Sequence, residues 1–294
     1  MMNGIINIYK EKGFTSFDVV AKLRGILKTR KIGHTGTLDP DAEGVLPVCI
    51  GKATKICELL TDKTKEYEAV MLLGRTTDTQ DVTGETLTQQ EVRCSAKEVE
   101  KAVLSFAGDY MQVPPMYSAL KVNGKKLYEL AREGKTVERK PRPVHFYEIE
   151  ILDIDFPLVR FRVTCSKGTY IRTLCHDIGE KLGCGAAMET LLRTKVGRFT
   201  LDDAITLAQT EEAVRNGEIE QRILGIEEIL AEYPRVCCRE EGDRLLANGN
   251  PLVQALVNAE EKDGWIRMCN SEGSFAGVYQ WDEKRDRYFP VKMF

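Results

Sequence analysis

The sequence predicts a protein built from both helices and strands, arranged as one large domain or as a large domain and a smaller one. Its 294 residues allow that choice, because a typical domain takes about 150 residues. Hydrophobic residues make up 43% of the chain and charged residues 30%, which is typical of a globular protein with a buried core. Stretches with the two-residue alternation of strands are interspersed with stretches of helical spacing.

The same sequence argues against several classes of protein. It contains no run of about 18 apolar residues, so we expect no membrane span. Residues 1–6 lack the basic start and the apolar core of a signal peptide. The nine cysteines are odd in number and include no C-x-x-C pair. This pattern favours reduced thiols in a cytoplasmic protein without a structural metal.

The chain begins with a predicted strand at residues 5–9 and a helix that is capped by Thr15 or Ser16. Val19 and Leu23 recur at helical spacing and predict the buried face of that helix. A run of basic residues without an acid begins on the polar face of this helix. It consists of Lys22, Arg24, Lys28, Arg30 and Lys31.

Residues 33–51 predict a shaped loop that runs into a buried strand. Four glycines and two prolines fix its course, since glycine permits positive φ and proline restricts φ. Asp39 lies where the charged loop meets the apolar strand, and a carboxylate held there can act as a nucleophile or a base. The simplest alternative is that Asp39-Pro40 only starts a turn.

Three other motifs fit this loop poorly. A phosphate-binding P-loop would need glycine at Leu46 and serine or threonine at Ala53. An aspartyl-phosphate enzyme would need threonine or valine at Glu43 and an apolar strand leading into the loop. The nearby carboxylates of Asp39, Asp41 and Glu43 suggest a glycosidase. Three acids within five residues are explained more simply as a solvated turn in which Asp39 alone has a functional role.

After this loop the chain alternates between predicted helices and strands. Short or amphipathic helices are predicted at residues 54–60, after the capping box of Ser95 and Glu98, from residue 171 onward, and across the acidic residues 210–231. Strands are predicted at residues 65–74, 144–154, 159–165 and 191–199.

Charge is distributed unevenly along the chain, although the net charge is only −3. Residues 19–38 contain five bases and no acid, and residues 121–142 contain eight bases against three acids. The second segment also contains Asn123-Gly124, which is typical of a tight hairpin turn. Two basic runs that flank the Asp39 loop favour RNA as the partner.

Three motifs in the sequence resemble those of the bacterial tRNA pseudouridine-55 synthase family. They are His-Thr-Gly-x-Leu-Asp-Pro-x-Ala-x-Gly-x-Leu at residues 34–46, continuing to Gly-Lys-Ala-Thr-Lys at 51–55, then Ser-Lys-Gly-Thr-Tyr-Ile-Arg at 166–172, and Leu-Leu-Arg-Thr-Lys-Val-Gly-Arg-Phe at 191–199. The resemblance implies an α+β pseudouridine-synthase fold around a mixed, mainly antiparallel sheet. It divides the chain into a catalytic domain (1–231), with a thumb-like RNA-binding insertion at about 113–143, and a PUA-like β-barrel (232–294).

The resemblance also implies which residues carry out the chemistry. Asp39 matches the catalytic aspartate of the family, and Arg172 becomes its partner, since a neighbouring guanidinium keeps a carboxylate ionised. Attack by Asp39 on C1′, attack on C6 and proton removal at C2′ all stay open. Lys10 matches a lysine of the family and is expected among the residues that contact substrate or RNA.

Four further residues are implied to hold the target nucleotide. Tyr67 stacks on the uracil, because an aromatic ring commonly holds a flipped base. Tyr170 lines the pocket and is available to take the C5 proton, while Leu191 packs beside the base. His34 fills the gap that the flipped nucleotide leaves. For Tyr67 and Leu191 an ordinary place in the core stays open as the alternative.

The implied reaction converts uridine in the T-loop of tRNA to pseudouridine. The N-glycosidic bond breaks and C5 is joined to C1′, so nothing is added or lost and no cofactor or metal is expected. The expected partner is the T-arm stem-loop of tRNA, and we expect a cytoplasmic monomer with no membrane contact and no obligate protein partner. Two alternatives stay open: a pseudouridine synthase with another RNA target, and a non-catalytic RNA-binding or RNA-folding protein that would not need Asp39.

Overall fold

In the described parts of the chain, a ten-stranded sheet lies before residue 232 and a five-stranded sheet after it, and two further sheets have two strands each. The computed structural model describes residues 2–61, 63–122, 124–259 and 261–294. In chain order the strands are β1 (Gly4–Lys10), β2 (Ile32–His34), β3 (Glu43–Ile50), β4 (Lys65–Leu73), β5 (Arg75–Thr77), β6 (Thr86–Gln89), β7 (Gly108–Gln112), β8 (Lys121–Val122), β9 (Lys125–Lys126), β10 (Arg142–Asp155), β11 (Leu158–Cys165), β12 (Ala186–Val196), β13 (Phe199–Thr200), β14 (Ile223–Leu224), β15 (Arg235–Cys237), β16 (Leu252–Val253), β17 (Trp265–Cys269), β18 (Phe275–Asp282) and β19 (Arg287–Met293).

The helices lie between these strands, and their caps follow the sequence signals. They are α1 (Ser16–Ile26), α2 (Cys57–Thr61), α3 (Ala96–Leu104), α4 (Leu127–Arg132), α5 (Ile171–Leu182), α6 (Leu207–Arg215), α7 (Ile226–Ile229) and α8 (Asp243–Ala247), with 3₁₀ helices at Gly51–Ile56, Ile219–Arg222, Glu240–Gly242 and Gln254–Leu256. Thr15 caps α1 and Ser95 caps α3, each in a capping box. Both predicted helix starts are therefore confirmed.

The large sheet is mixed and mainly antiparallel, as predicted for this α+β fold. Its described strands follow the order β14-β1-β3-β12-β4-β11-β10-β7, with β2 on β3 and β13 on β12. β3 and β12 are parallel, and they meet through only two residue pairs, Leu192 with Glu43 and Arg193 with Gly44. A Cβ at Gly44 (φ +105°) would collide with the Arg193 carbonyl, so this contact requires glycine. The sheet is thereby divided into two halves that diverge where the Asp39 loop enters β3.

Each half of the sheet has its own core. Helices α3 and α5 cover β4, β10, β11 and β12, and the alternating buried residues of β4 pack into this layer. Helices α1 and α6 cover one side of β1 and β3. The predicted alternation of Tyr67, Ala69, Met71 and Leu73 on one buried face is confirmed.

The region predicted as one acidic helix at residues 210–231 is broken into several pieces. Helix α6 ends at Arg215, and Gly217 then adopts φ +75°, which is typical of a residue that terminates a helix. After a 3₁₀ turn, β14 pairs antiparallel with β1 at the edge of the large sheet. The prediction of continuous helix was wrong because this pairing joins residues more than 200 positions apart.

The tail, residues 232–294, forms a curled five-stranded sheet in the order β15-β17-β18-β19-β16, consistent with the predicted PUA-like fold. It also packs against the second side of β1 and β3. One core cluster contains Ile5 and Val45 of these strands together with Val278 of the tail, and Phe294 packs against that cluster. Among the described residues, no helix has the length and apolar character needed to cross a bilayer.

Candidate active site

A cleft of about 640 Å³ opens where the two halves of the large sheet diverge. Its lining includes residues 36–42 of the Asp39 loop, residues 166–172 and 188–191, and residues 117–119 of the insertion. Of the predicted site residues, those that line the cleft are Asp39, Tyr67, Tyr170, Arg172 and Leu191; Lys10 and His34 are described residues outside its lining. The fold thus brings together residues from four separate segments of the chain.

Residues of α1 and β1 form hydrogen bonds with the backbone of the Asp39 loop. Leu38 N–H donates to the hydroxyl of Ser16, the first residue of α1, over 2.9 Å. The Lys10 ammonium, at the end of β1, is fully buried and donates to Pro40 O over 3.0 Å and to Ala42 O over 2.6 Å. Burial lowers the pKa of Lys10 to about 8. In this structure Lys10 therefore contacts the loop that carries the carboxylate.

Arg172 pairs with Asp39 at the floor of the cleft, as the sequence predicted. Its Nε lies 3.0 Å from Asp39 Oδ2, and only 7% of the Arg172 side chain is exposed, against 43% for Asp39. The other guanidinium nitrogens donate to Thr79 O over 3.0 Å and to Tyr117 O over 2.9 Å, and Nη1 lies 3.7 Å from Asp81 Oδ2. The guanidinium is thus fixed in one orientation, and Asp39 is the more exposed of its two carboxylate partners.

Tyr67 and Leu191 lie on adjacent strands and face the same cleft. Leu191 pairs with Ala69 across β12 and β4, two residues from Tyr67 on the same face. Tyr67 is only 8% exposed, and burial raises the pKa of its phenol, so the ring is neutral at physiological pH. A neutral aromatic ring at the cleft wall can stack on a base.

Tyr170 precedes α5 and is anchored through its backbone. Gln112, at the end of β7, accepts from Tyr170 N–H over 2.8 Å and donates to Tyr170 O over 3.0 Å. Burial raises the pKa of the Tyr170 phenol, while the Ser118 hydroxyl and the Arg172 charge act in the opposite direction. The hydroxyl is therefore protonated near pH 7 and lies in a cleft that also contains the Asp39 carboxylate.

His34 supports the Asp39 loop from β2. Its Nδ1 accepts from Gly36 N–H over 3.3 Å. Burial lowers its pKa, and the nearby Arg193 charge lowers it further. His34 is consequently neutral at pH 7, with Nδ1 as the acceptor and Nε2 as the protonated nitrogen.

Three residues of the site were not predicted from the sequence. Asp81 contacts Arg172, Gln112 clamps Tyr170, and Arg193 lies buried beneath the Asp39 loop. A sequence signal exists for Arg193 only, since it directly follows Leu191-Leu192 in the third motif. The other two act on backbone or charge partners that are far away in sequence.

Both basic runs of the sequence present exposed cations. On and after α1, five cations are exposed, and none is ion-paired with a carboxylate in the described parts of the chain: Lys22, Arg24, Lys28, Arg30 and Lys31. In the insertion, β8 and β9 form a hairpin with Gly124 at φ +83°; Asn123, the other predicted turn residue, lies outside the described residues. Within the described ranges, no group of three or more His, Cys, Asp or Glu side chains is placed to hold a metal ion.

Comparison with known proteins gives matches over the whole chain. The description "TruB family pseudouridylate synthase (N terminal domain)" matches residues 24–171, and "tRNA pseudouridylate synthase B C-terminal domain" matches residues 172–231. The chain is 55% identical to the tRNA pseudouridine synthase B of Lachnoclostridium phytofermentans over 100% of both chains. It is 54% identical to that of Clostridium novyi over 94% of this chain and 95% of the relative.

Solved structures of related proteins share the fold. A Cbf5-Nop10-Gar1 complex contains a chain that is 28% identical, with a TM-score of 0.73 over 99% of this chain and 84% of that chain. A chain of an H/ACA RNP bound to a substrate RNA containing 2′-deoxyuridine is 26% identical, with the same TM-score and coverage. Both of these similar chains were solved in multicomponent assemblies.

Proposed function

Since the chain belongs to the TruB family of pseudouridylate synthases, we propose that it isomerises the T-loop uridine of tRNA, position 55, to pseudouridine. The curated relatives above are named for the modification of tRNA, and the protein is an isomerase of tRNA uridine. The observation that carries the assignment of the site is the Asp39–Arg172 pair in a cleft that also contains Tyr67 and Tyr170.

In this proposal Asp39 starts the chemistry. Its carboxylate is partly exposed to the cleft, while its partner Arg172 is buried and held by three further groups. The fixed guanidinium orients the carboxylate, and the ionised carboxylate is the form needed by a nucleophile and by a base. The three routes through C1′, C6 and C2′ all require this ionised form.

The remaining cleft residues hold the base. Tyr67 stacks on the uracil, Leu191 packs beside it, and Tyr170 lines the pocket as the residue available to take the C5 proton. The C5–H bond is replaced by a C5–C1′ bond, and N1 gains a proton as it loses C1′. The reaction is therefore balanced without an oxidant, a reductant or a second substrate.

The direct test is to incubate the protein with unmodified tRNA transcript and to map pseudouridine. Pseudouridine at position 55 is the expected result. Modification of another RNA but not of tRNA would favour a different target, and binding without modification would favour an RNA-folding protein. We further propose that the protein acts as a monomer without an obligate partner, because one chain brings Asp39, Arg172 and Tyr67 into one cleft. We also propose that it acts in the cytoplasm, because its relatives are named for the modification of tRNA.

Replacing Tyr67 with leucine is expected to lower the rate of modification more than tRNA affinity. Loss of base stacking removes roughly 1–3 kcal/mol of stabilisation. Single-turnover rates and tRNA binding should be measured together with a melting curve. Tyr147→Leu is the matched control, because Tyr147 is 55% exposed on β10 and lies outside the cleft lining. A variant with a lower Tm but a normal rate per folded molecule would make Tyr67 a core residue only.

The free cations of the insertion are expected to bind RNA phosphates. Lys121, Lys140 and Arg142 are exposed and form no ion pair with a described carboxylate, whereas Lys125 and Lys135 both pair with Glu133. Replacing the three free cations with glutamine should weaken tRNA binding and flatten its salt dependence. The slope should fall by somewhat less than about one unit per lost phosphate contact.

The matched control for this triple variant replaces the paired cations, Lys125→Gln with Lys135→Gln. Its salt slope should change less, because Glu133 already neutralises part of their charge. Equal slopes for wild type and the triple variant would show that the insertion does not bind phosphate through these side chains.

A further inference from the structure

Arg193 on β12 carries a guanidinium that is buried beneath the Asp39 loop. Only 1% of the residue is exposed, and it forms no ion pair with a described residue. Its Nε donates to Val45 O over 2.7 Å, while Nη1 and Nη2 donate to Thr37 O and Gly36 O over 3.4 and 3.3 Å. All three acceptors belong to the Asp39 loop or to the strand that follows it.

A buried cation without a counter-ion needs a physical reason. Removing a charge from water is unfavourable unless hydrogen bonds or an opposite charge compensate for it. Around Arg193 the compensation comes from neutral groups, namely these carbonyls and the Tyr67 hydroxyl. Burial lowers the pKa of the guanidinium, while the hydrogen bond with Tyr67 acts in the opposite direction. An apolar side chain would fill the same space at lower cost, so the hydrogen bonds that Arg193 makes to the loop are its distinctive contribution.

Arg193 also contacts the strand that carries the stacking tyrosine. β12 pairs with β4 so that Arg193 lies directly opposite Tyr67. Residues paired in this way have Cβ atoms about 4.5–5.5 Å apart, and both of these side chains line the cleft. The charge of Arg193 partly offsets the rise that burial causes in the pKa of Tyr67. One side chain therefore joins the Asp39 loop to the wall on which the base is proposed to stack.

We propose that Arg193 is a positioning residue for the isomerisation, which sets the distance between the Asp39 carboxylate and a uracil stacked on Tyr67. The inference rests on the proposed function, because it takes Tyr67 as the stacking residue. Lys10 holds the second half of the loop through Pro40 O and Ala42 O. Together the two buried cations hold the loop backbone on both sides of Asp39.

Arg193→Lys tests the proposal, because lysine keeps the charge but cannot reach three diverging carbonyls. A displacement of about 1 Å in a reacting group can slow a reaction about 10²-fold, and we expect a loss of that order in kcat. KM for tRNA should stay within a few-fold of wild type. Arg193→Met should lose at least as much, and Arg198→Lys, which alters a surface ion pair with Glu228, should keep the wild-type kcat.

Melting curves must accompany the kinetics, because they show whether each variant is folded. Each outcome then supports or overturns the inference. A folded Arg193→Lys protein with wild-type kcat overturns the inference and leaves the proposed function intact. Failure of the wild-type protein to form pseudouridine overturns both. If Arg193→Lys does not fold, Tyr67→Phe decides instead. It removes the hydroxyl that faces Arg193, and one lost hydrogen bond corresponds to about a five-fold lower kcat. An unchanged kcat in that variant overturns the inference.

Discussion

Asparagine in place of Asp39 is expected to lower kcat by at least about 10³-fold, while tRNA affinity stays within a few-fold of wild type. The substitution removes a charge but almost no volume. Arg172 keeps its bonds to Thr79 O and Tyr117 O, so the cleft keeps its shape. Single-turnover formation of pseudouridine and equilibrium binding of the same tRNA give the two quantities.

Asp202→Asn is the control for this variant, because Asp202 is an exposed acid outside the cleft lining. Its rate should equal that of wild type. Substantial pseudouridine formation by an Asp39→Asn protein of verified sequence would remove Asp39 from the mechanism. Retained RNA-folding activity without modification would instead separate any folding role from catalysis.

Lysine in place of Arg172 is expected to lower kcat by about 10²-fold with a smaller change in KM. A lysine ammonium is a point charge and cannot reproduce the planar fork of guanidinium donors. In the wild-type protein that fork reaches the Asp39 carboxylate and two carbonyls at once. The variant should therefore leave the carboxylate less well oriented, although a positive charge remains nearby.

Arg162→Lys is a matched control, since Arg162 also bridges two acids, Glu68 and Glu150, but outside the cleft lining. Its kcat should match that of wild type. A normal kcat for a folded Arg172→Lys protein would show that charge alone, without the fork geometry, is sufficient at Asp39.

Much of the fold could be predicted because its signals are local. The caps at Thr15 and Ser95 need only residues three positions apart, and the buried face of β4 follows from simple alternation. In contrast, β14 is two residues long and exists only because β1 offers it an edge. Pairing at such a distance leaves no periodic trace in the sequence.

The residues of the site also differ in whether the sequence reveals their partners. Asp39 and Arg172 are side chains within recognisable motifs, and their ion pair could be predicted from the chemistry of a carboxylate that must stay charged. Arg193 lies within a motif as well, yet its partners are backbone carbonyls. Every residue has a carbonyl, so no residue type in the Asp39 loop reveals that a guanidinium will hold it.

The packing of the tail on β1 has a consequence during synthesis. Ile5 is made well before Val278 and Phe294, which belong to or pack against the same core cluster. Ribosomes add about 5–20 residues per second, so roughly 15–55 s separate the synthesis of Ile5 from that of Val278. During that time the tail does not yet cover one apolar side of β1 and β3. Folding of this half of the sheet is thus expected to finish only after the tail has emerged from the ribosome, with its apolar surface open to chaperones until then.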